Sequence, residues 1–239
     1  PIFIGGDVGN ACWIWVEDWV PEGRTRLIWA EKVNSDKYQS RAIELVEFFQ
    51  PRFAVFDKMP LFSDSRKIAY AHPRTVALQQ FDNGKEPELL EEKLVLDDIG
   101  AARRESGPAY FCVKGDRDLI LGGFTNEATH VSKGLIIPKK RSGEPSIMAD
   151  VRKHLGKLQK EIIKQPNGNE IHRFLDKVEN HLGMAAASAR QARRFAPSVQ
   201  PFVNTPLPGP ASRAKKLEAM TGAREERRGS RRDRMRGGV

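Results

Sequence analysis

Two short apolar runs, each leading to an aspartate, constrain this chain more than any other feature. Ile2-Phe3-Ile4 passes through two glycines to Asp7, and Phe53-Ala54-Val55-Phe56 leads straight to Asp57. An unbroken apolar run of this length is the pattern of a strand covered on both faces, since neither face can be left to water. The two runs are expected as parallel neighbours within an α/β sheet, with Asp7 facing solvent at its strand end and Asp57 a few ångströms away. Either aspartate alone reads as an ordinary turn residue. Together they are like charges at close range, unfavourable unless a cation stands between them, and so point to a divalent metal or a raised carboxyl pKa.

The segments around these runs fit such a sheet. Cys12, Ile14 and Val16 alternate, and with Arg26 to Val33 across the turn Pro21-Glu22-Gly23 they predict a hairpin that adds two antiparallel strands to the first. Ser35 or Asp36 can cap a helix to Phe49 with Ala42, Ile43, Leu45, Val46 and Phe49 on one face, stopped at Gln50-Pro51. A helix over Ser63 to Tyr70 and a strand over Thr75 to Phe81 follow. The charged stretch Asp82 to Gly107 reads as loop with a helix from Pro87 to Leu96. Tyr110 to Val113 and Leu119 to Phe124 flank Gly115-Asp116-Arg117-Asp118 as a β-hairpin. Helical spacing of Ile147, Val151, Leu155, Leu158 and Ile162 predicts a helix from Ser146 to Lys164, ended by Pro166-Asn167-Gly168-Asn169, and a last helix runs from about Ile171 to Arg194.

Charge divides the chain into two regions. Residues 1–189 hold 27 Lys/Arg and 27 Asp/Glu, whereas residues 190–239 hold 13 against 4, so the net charge of +9 belongs to the C-terminal end. Five prolines between Pro197 and Pro210 make an extended linker, and Arg227, Arg228, Arg231, Arg232, Arg234 and Arg236 among Gly and Ser cannot bury a core. Residues 1–195 are therefore expected as one folded domain and 196–239 as a proline-rich linker with a disordered basic tail, suited to a polyanion through counterion release. Cys12 and Cys112 are too few for a disulfide framework and point to a reducing compartment, and no run approaches a membrane span or a signal peptide, so a soluble, cytoplasmic, unsecreted protein is expected.

A third feature is the segment Asp176-Lys177-Val178-Glu179-Asn180-His181 followed by Gly183, Ala185, Ala186, Ala187 and Ala189, small residues that let a helix lie tightly on a sheet. On a helical wheel whose buried face is centred on Phe174, Val178, Leu182, Ala185 and Ala189, His181 lies about 60° from that centre and Glu179 about 100°, while Asp176 and Asn180 lie roughly 160° away. His181, and next Glu179, can then reach the strand ends.

The order of a D-x-G strand and hairpin, an apolar strand ending in Asp, a β-hairpin insertion and a small-residue helix resembles the nuclease domain of the large terminase subunits of tailed bacteriophages, over residues 2 to about 192. The resemblance implies an RNase H-like mixed sheet of five or more strands with flanking helices. It also implies an endonuclease that cuts concatemeric viral DNA during genome packaging with two Mg²⁺ or Mn²⁺ ions. Asp7 and Asp57 match the first two acidic positions, and Asn180-His181 falls at the third, where the family carries an acid; Met184 stands where a second Asp is common. The third ligand is left among His181, Glu179, Asn180 and Asp176, with Asp7, Asp57 and His181 as the catalytic set. One ion would lower the pKa of an attacking water and the other stabilise the leaving oxygen. Lys58, Lys133, Lys139, Lys140 and Arg141 are candidate contacts to double-stranded DNA. The resemblance further implies the portal protein and small terminase subunit as partners in an infected bacterial cell. The chain opens without Met and holds no G-x-x-x-x-G-K-[ST], so an excised domain or an ATPase upstream is expected. Two other readings stand beside it: a Holliday-junction-resolvase-like nuclease, and a catalytically decayed docking module for DNA or a portal, favoured by the non-acidic third position.

Overall fold

The computed structural model describes residues 1–21, 23–92, 94–96, 102–104, 109–130, 134–139, 146–164, 168, 170–175 and 179–196. The strands are β1 (Ile2–Asp7), β2 (Ala11–Trp19), β3 (Thr25–Asn34), β4 (Phe53–Asp57), β5 (Val76–Phe81), β6 (Glu88–Glu92), β7 (Leu94–Leu96), β8 (Ala102–Arg104), β9 (Tyr110–Gly115), β10 (Leu135–Ile136), β11 (Lys160–Lys164) and β12 (Glu170–Phe174). The helices are α1 (Tyr38–Phe49), α2 (Phe62–Ala71), α3 (Arg117–Ala128), α4 (Ser146–Gly156) and α5 (His181–Phe195). Eight strands form one mixed sheet in the order β10-β3-β2-β1-β4-β5-β9-β6, with β7-β8 and β11-β12 as separate two-stranded ribbons.

The order follows from the hydrophobic pattern. β1 and β4, buried at every position, pair in parallel with Phe3 opposite Phe53 and Gly6 opposite Phe56. β2 and β3 add antiparallel to β1, and β5 and β9 extend the parallel half from β4. Helix α5 lies across β1, β2 and β4, with α3 and α4 beside it, while α1 and α2 pack against each other on the opposite face. Gly5 explains the closeness of α5: a Cβ there would fall on the Ala185 carbonyl oxygen and the Ala189 amide.

Four sequence expectations are corrected. Tyr110 to Phe124 is not a hairpin but β9 followed by α3. Asp116 caps that helix, its Oδ1 accepting the N–H groups of Asp118 at 2.8 Å and Leu119 at 3.1 Å. Helix α4 stops at Gly156, and Lys160 to Lys164 pairs instead with Glu170 to Phe174, with Gly168 between them at φ +84°; Ile162, next in the helical spacing, is 56% exposed. The hairpin insertion is therefore this ribbon. The last helix begins at His181, so Phe174, a buried strand residue, does not share its wheel. Residues expected as a helix from Pro87 form β6, drawn into the sheet by antiparallel pairing with β9. The linker and basic tail beyond Ala196 lie outside the described residues. Among the described residues no helix is long and apolar enough to cross a membrane.

Candidate metal centre

Backbone register sets one row of side chains on the α5 face of the sheet. Asp7 is opposite Trp13, Trp13 is opposite Lys32, and Asp57 is opposite Gln79. Since β1 and β4 are parallel neighbours in register up to Gly6 and Phe56, Asp7 and Asp57 stand side by side. The row reads Lys32, Trp13, Asp7, Asp57, Gln79 across five strands. Asp7 does not face open solvent as expected: it is 7% exposed and Asp57 is 6% exposed.

Two carboxyl groups buried together cannot both ionise without compensation. Burial foremost, then the charge of Asp7 and a hydrogen bond shared with it, holds the Asp57 carboxyl well above the usual carboxylate range, against the Val8 N–H and the charge of Arg117. Gln79, 2% exposed, donates through Nε2 to Asp57 Oδ1 at 3.4 Å, and its Oε1 accepts from Ser188 Oγ of α5 at 3.4 Å. Ser65 of α2 donates to the Asp57 carbonyl oxygen at 2.8 Å, tying the strand end from the other face.

The first residue of α5 completes the group. His181 donates from Nδ1 to Asp7 Oδ2 at 2.7 Å, and this bond raises the imidazole pKa above its ordinary value. Asn180, the N-cap, is 5% exposed, and its Nδ2 has no hydrogen-bond partner. Glu179 is not gathered with them: its exposed carboxylate pairs with Lys153 at 2.5 Å and Lys157 at 3.5 Å. Asp176, Lys133, Lys140 and Arg141 lie outside the described residues. Lys58 follows Asp57, but its ammonium is bound to Gln80 Oε1 at 3.0 Å and Glu92 Oε2 at 2.8 Å. Lys139 is exposed beyond edge strand β10.

The donor set fits a divalent cation in part. Asp7 and Asp57 supply hard oxygens side by side, with repulsion that a cation would relieve. His181, however, is bonded to Asp7, and among the described residues no three His, Cys, Asp or Glu side chains are arranged to hold an ion.

Several contributors carry little local signal in the sequence. Gln79 and Ser188 are visible only as polar residues in apolar surroundings. His154 of α4 gives no hint, yet it is 3% exposed and accepts the Leu182 N–H at Nδ1 at 3.2 Å, beside Trp13 and His181.

A sheet with three antiparallel strands followed by parallel strands in the order 3-2-1-4-5, and carboxylates ending strands 1 and 4, decides the fold. The chain is RNase H-like. No family model and no characterised protein matches it by sequence. Among solved structures, this RNase H-like chain resembles the large terminase nuclease from thermophilic phage G20c with bound magnesium, at 11% identity and a TM-score of 0.46, covering 80% of each chain. The cobalt-bound form of that nuclease gives 11% identity and a TM-score of 0.44, again over 80% of each chain. Thermus thermophilus RuvC gives 15% identity and a TM-score of 0.38 over 84% of this chain and 100% of RuvC, and RuvC has also been seen in complex with a Holliday junction substrate.

Proposed function

We propose that this chain is a divalent-metal-dependent DNA endonuclease of the terminase type. The observation that carries the reading is the pairing of buried Asp7 and Asp57 at neighbouring strand ends, with His181 bonded to the first. Asp7 and Asp57 would hold Mg²⁺ or Mn²⁺. When bound, such an ion supplies a nucleophilic water at neutral pH and neutralises charge developing on the phosphate. Gln79, itself held by Ser188, keeps one Asp57 oxygen oriented, and His181 does the same for Asp7. In this reading the substrate is concatemeric viral duplex DNA, the basic stretch 211–239 adds affinity by counterion release, and the portal protein and the small terminase subunit are partners.

Nicking of supercoiled plasmid in Mn²⁺, Mg²⁺ or EDTA tests this. Cleavage should require metal, disappear in Asp7→Asn and Asp57→Asn, and fall in His181→Ala but not in His181→Asp, where a carboxylate replaces the imidazole. Preference for a four-way junction over linear duplex would assign a resolvase-like activity. Among the described residues no third carboxylate joins the group, which favours one further reading, a docking module without catalysis. DNA binding with no cleavage in any metal would select it.

A further inference from the structure

We infer that His154 is a positioning residue for the candidate centre, with Trp13 as the surface against which it works. The inference rests on the reading of Asp7, Asp57 and His181 as the reacting group. Three rings meet where α4, β2 and α5 converge. Trp13 and His181 are parallel within 6°, their centroids 6.1 Å apart. His154 stands edge-on to both, 4.6 Å from Trp13 at 65° and 6.0 Å from His181 at 64°.

Each ring has a fixed anchor. Trp13 is the cross-strand partner of Asp7, and its ring is 5% exposed within the core under α5, which leaves it little room to move. His154 accepts the Leu182 N–H at Nδ1, 3.2 Å away, which ties it to the first turn of α5. That bond also defines the tautomer: a ring nitrogen accepting an N–H carries no proton, so the hydrogen of the neutral imidazole sits on Nε2. Leu182 follows His181 directly, so the backbone His154 holds is the backbone from which the His181 ring departs. The Asp7 bond to His181 Nδ1 is then maintained by two supports, Trp13 under the ring and His154 on the helix turn.

The arrangement serves orientation more than stability. An unpaired amide in the first turn of a helix ordinarily finds water or a hydroxyl or carboxylate cap. The Asn180 N-cap makes no side-chain cap bond, and a buried imidazole from another helix takes the place beside it. Groups that bond a metal ligand directly typically contribute about 10–100-fold to metal affinity or activity, and the lower end is expected of His154, which acts one bond further out through the backbone beside His181.

The test compares four variants that separate acceptor from bulk. His154→Asn can place Oδ1 where Nδ1 stands. His154→Gln places its oxygen farther out, His154→Phe keeps the edge-on ring without an acceptor, and His154→Leu removes both. Turnover and KM for plasmid cleavage in Mn²⁺ are measured with Tm, and the His181 Nδ1 proton is followed by imidazole ¹⁵N–¹H NMR. The expected result is a fall of about tenfold or more in kcat with little change in KM for Leu, Phe and Gln, and recovery in Asn. The His181 Nδ1–H signal should persist in Asn and exchange out in Leu. If the wild-type protein cleaves nothing, the nuclease reading fails, but the NMR comparison still decides the role of His154. An unchanged His181 signal and unchanged turnover in His154→Leu would overturn the inference. Where His154→Leu does not fold, equal behaviour of the Asn and Gln variants overturns it.

Discussion

Gly5 of β1 lies directly under the Ala185 carbonyl of α5, with no room for a Cβ between strand and helix. The contact brings the start of α5 to the strand ends, because His181 sits one turn before Ala185 and bonds the aspartate two residues after Gly5. Gly5→Ala should therefore lift the helix. We expect destabilisation of about 1–3 kcal/mol from overpacking, measured by urea unfolding, and a larger fractional loss of metal-dependent cleavage than of stability. Retained cleavage and an unchanged urea midpoint would show that the helix can shift without consequence.

The aspartate pair should announce a cation thermodynamically even before chemistry is examined. A ligand binding only the folded state stabilises it by about 2.7 kcal/mol at a hundredfold excess over Kd. Mn²⁺ titration should raise the Tm of the wild type and leave Asp57→Asn unmoved. Without metal, Asp57→Asn should melt at or above the wild type, since it removes one of two buried acids. A Tm equally raised by Mn²⁺ in both proteins would place the ion elsewhere.

The legible and illegible parts of this site differ in range. Ile2 to Ile4 and Phe53 to Phe56 announce central strands locally, and their pairing brings Asp7 beside Asp57. Ile162 misleads because it continues an i, i+4 series while the chain has already turned into a strand at Lys160. Asp116 reads as part of a hairpin turn because apolar residues flank it on both sides, whereas its carboxylate caps α3. Gln79 and His154 act through partners 22 and 28 residues distant in sequence, Asp57 and Leu182, so no local period records them. His181 reaches the strand ends as the first residue of α5, not from within a helix that begins near Ile171.

Glu17 should dominate a pH effect far from the centre. It is 1% exposed on β2, accepts the Trp15 indole N–H at 2.9 Å and faces Arg193 at 3.5 Å. Burial, outweighing the Arg193 charge, pushes its carboxyl up to about 7 from 4.5. The folded chain thus holds this proton more tightly than the unfolded chain. Its contribution is full below pH 4.5 and is lost as pH rises through about 7. Glu17→Gln, which keeps an acceptor for Trp15, should flatten the stability profile between those limits by roughly 3 kcal/mol. Urea midpoints across that range check it; parallel profiles for the two proteins would mean that Glu17 stays ionised when folded.

Lys58 and Lys32 differ in what their ammonium groups meet, and the proposed function gives them different tests. Lys58, Lys114 and Tyr110 all bond Glu92, joining the end of β4 and strand β9 to edge strand β6. Burial pushes the Glu92 carboxyl up, but hydrogen bonds from Lys114, Lys58 and Tyr110 outweigh it and hold it down to about 2. Removing the Lys58 ammonium should destabilise the fold by roughly 1.5–3 kcal/mol, the range for hydrogen bonds to charged groups. Lys32 instead is exposed, its Nζ 4.9 Å above the Trp13 ring in the same row as the aspartates. Lys32→Ala should leave Tm unchanged, weaken duplex binding and lower its salt slope by about one, as expected for one lost phosphate contact. Fluorescence anisotropy with labelled duplex over a salt series, beside thermal melts of both variants, separates the two roles. A Lys58→Ala protein with wild-type Tm and a reduced salt slope would move Lys58 to the DNA surface.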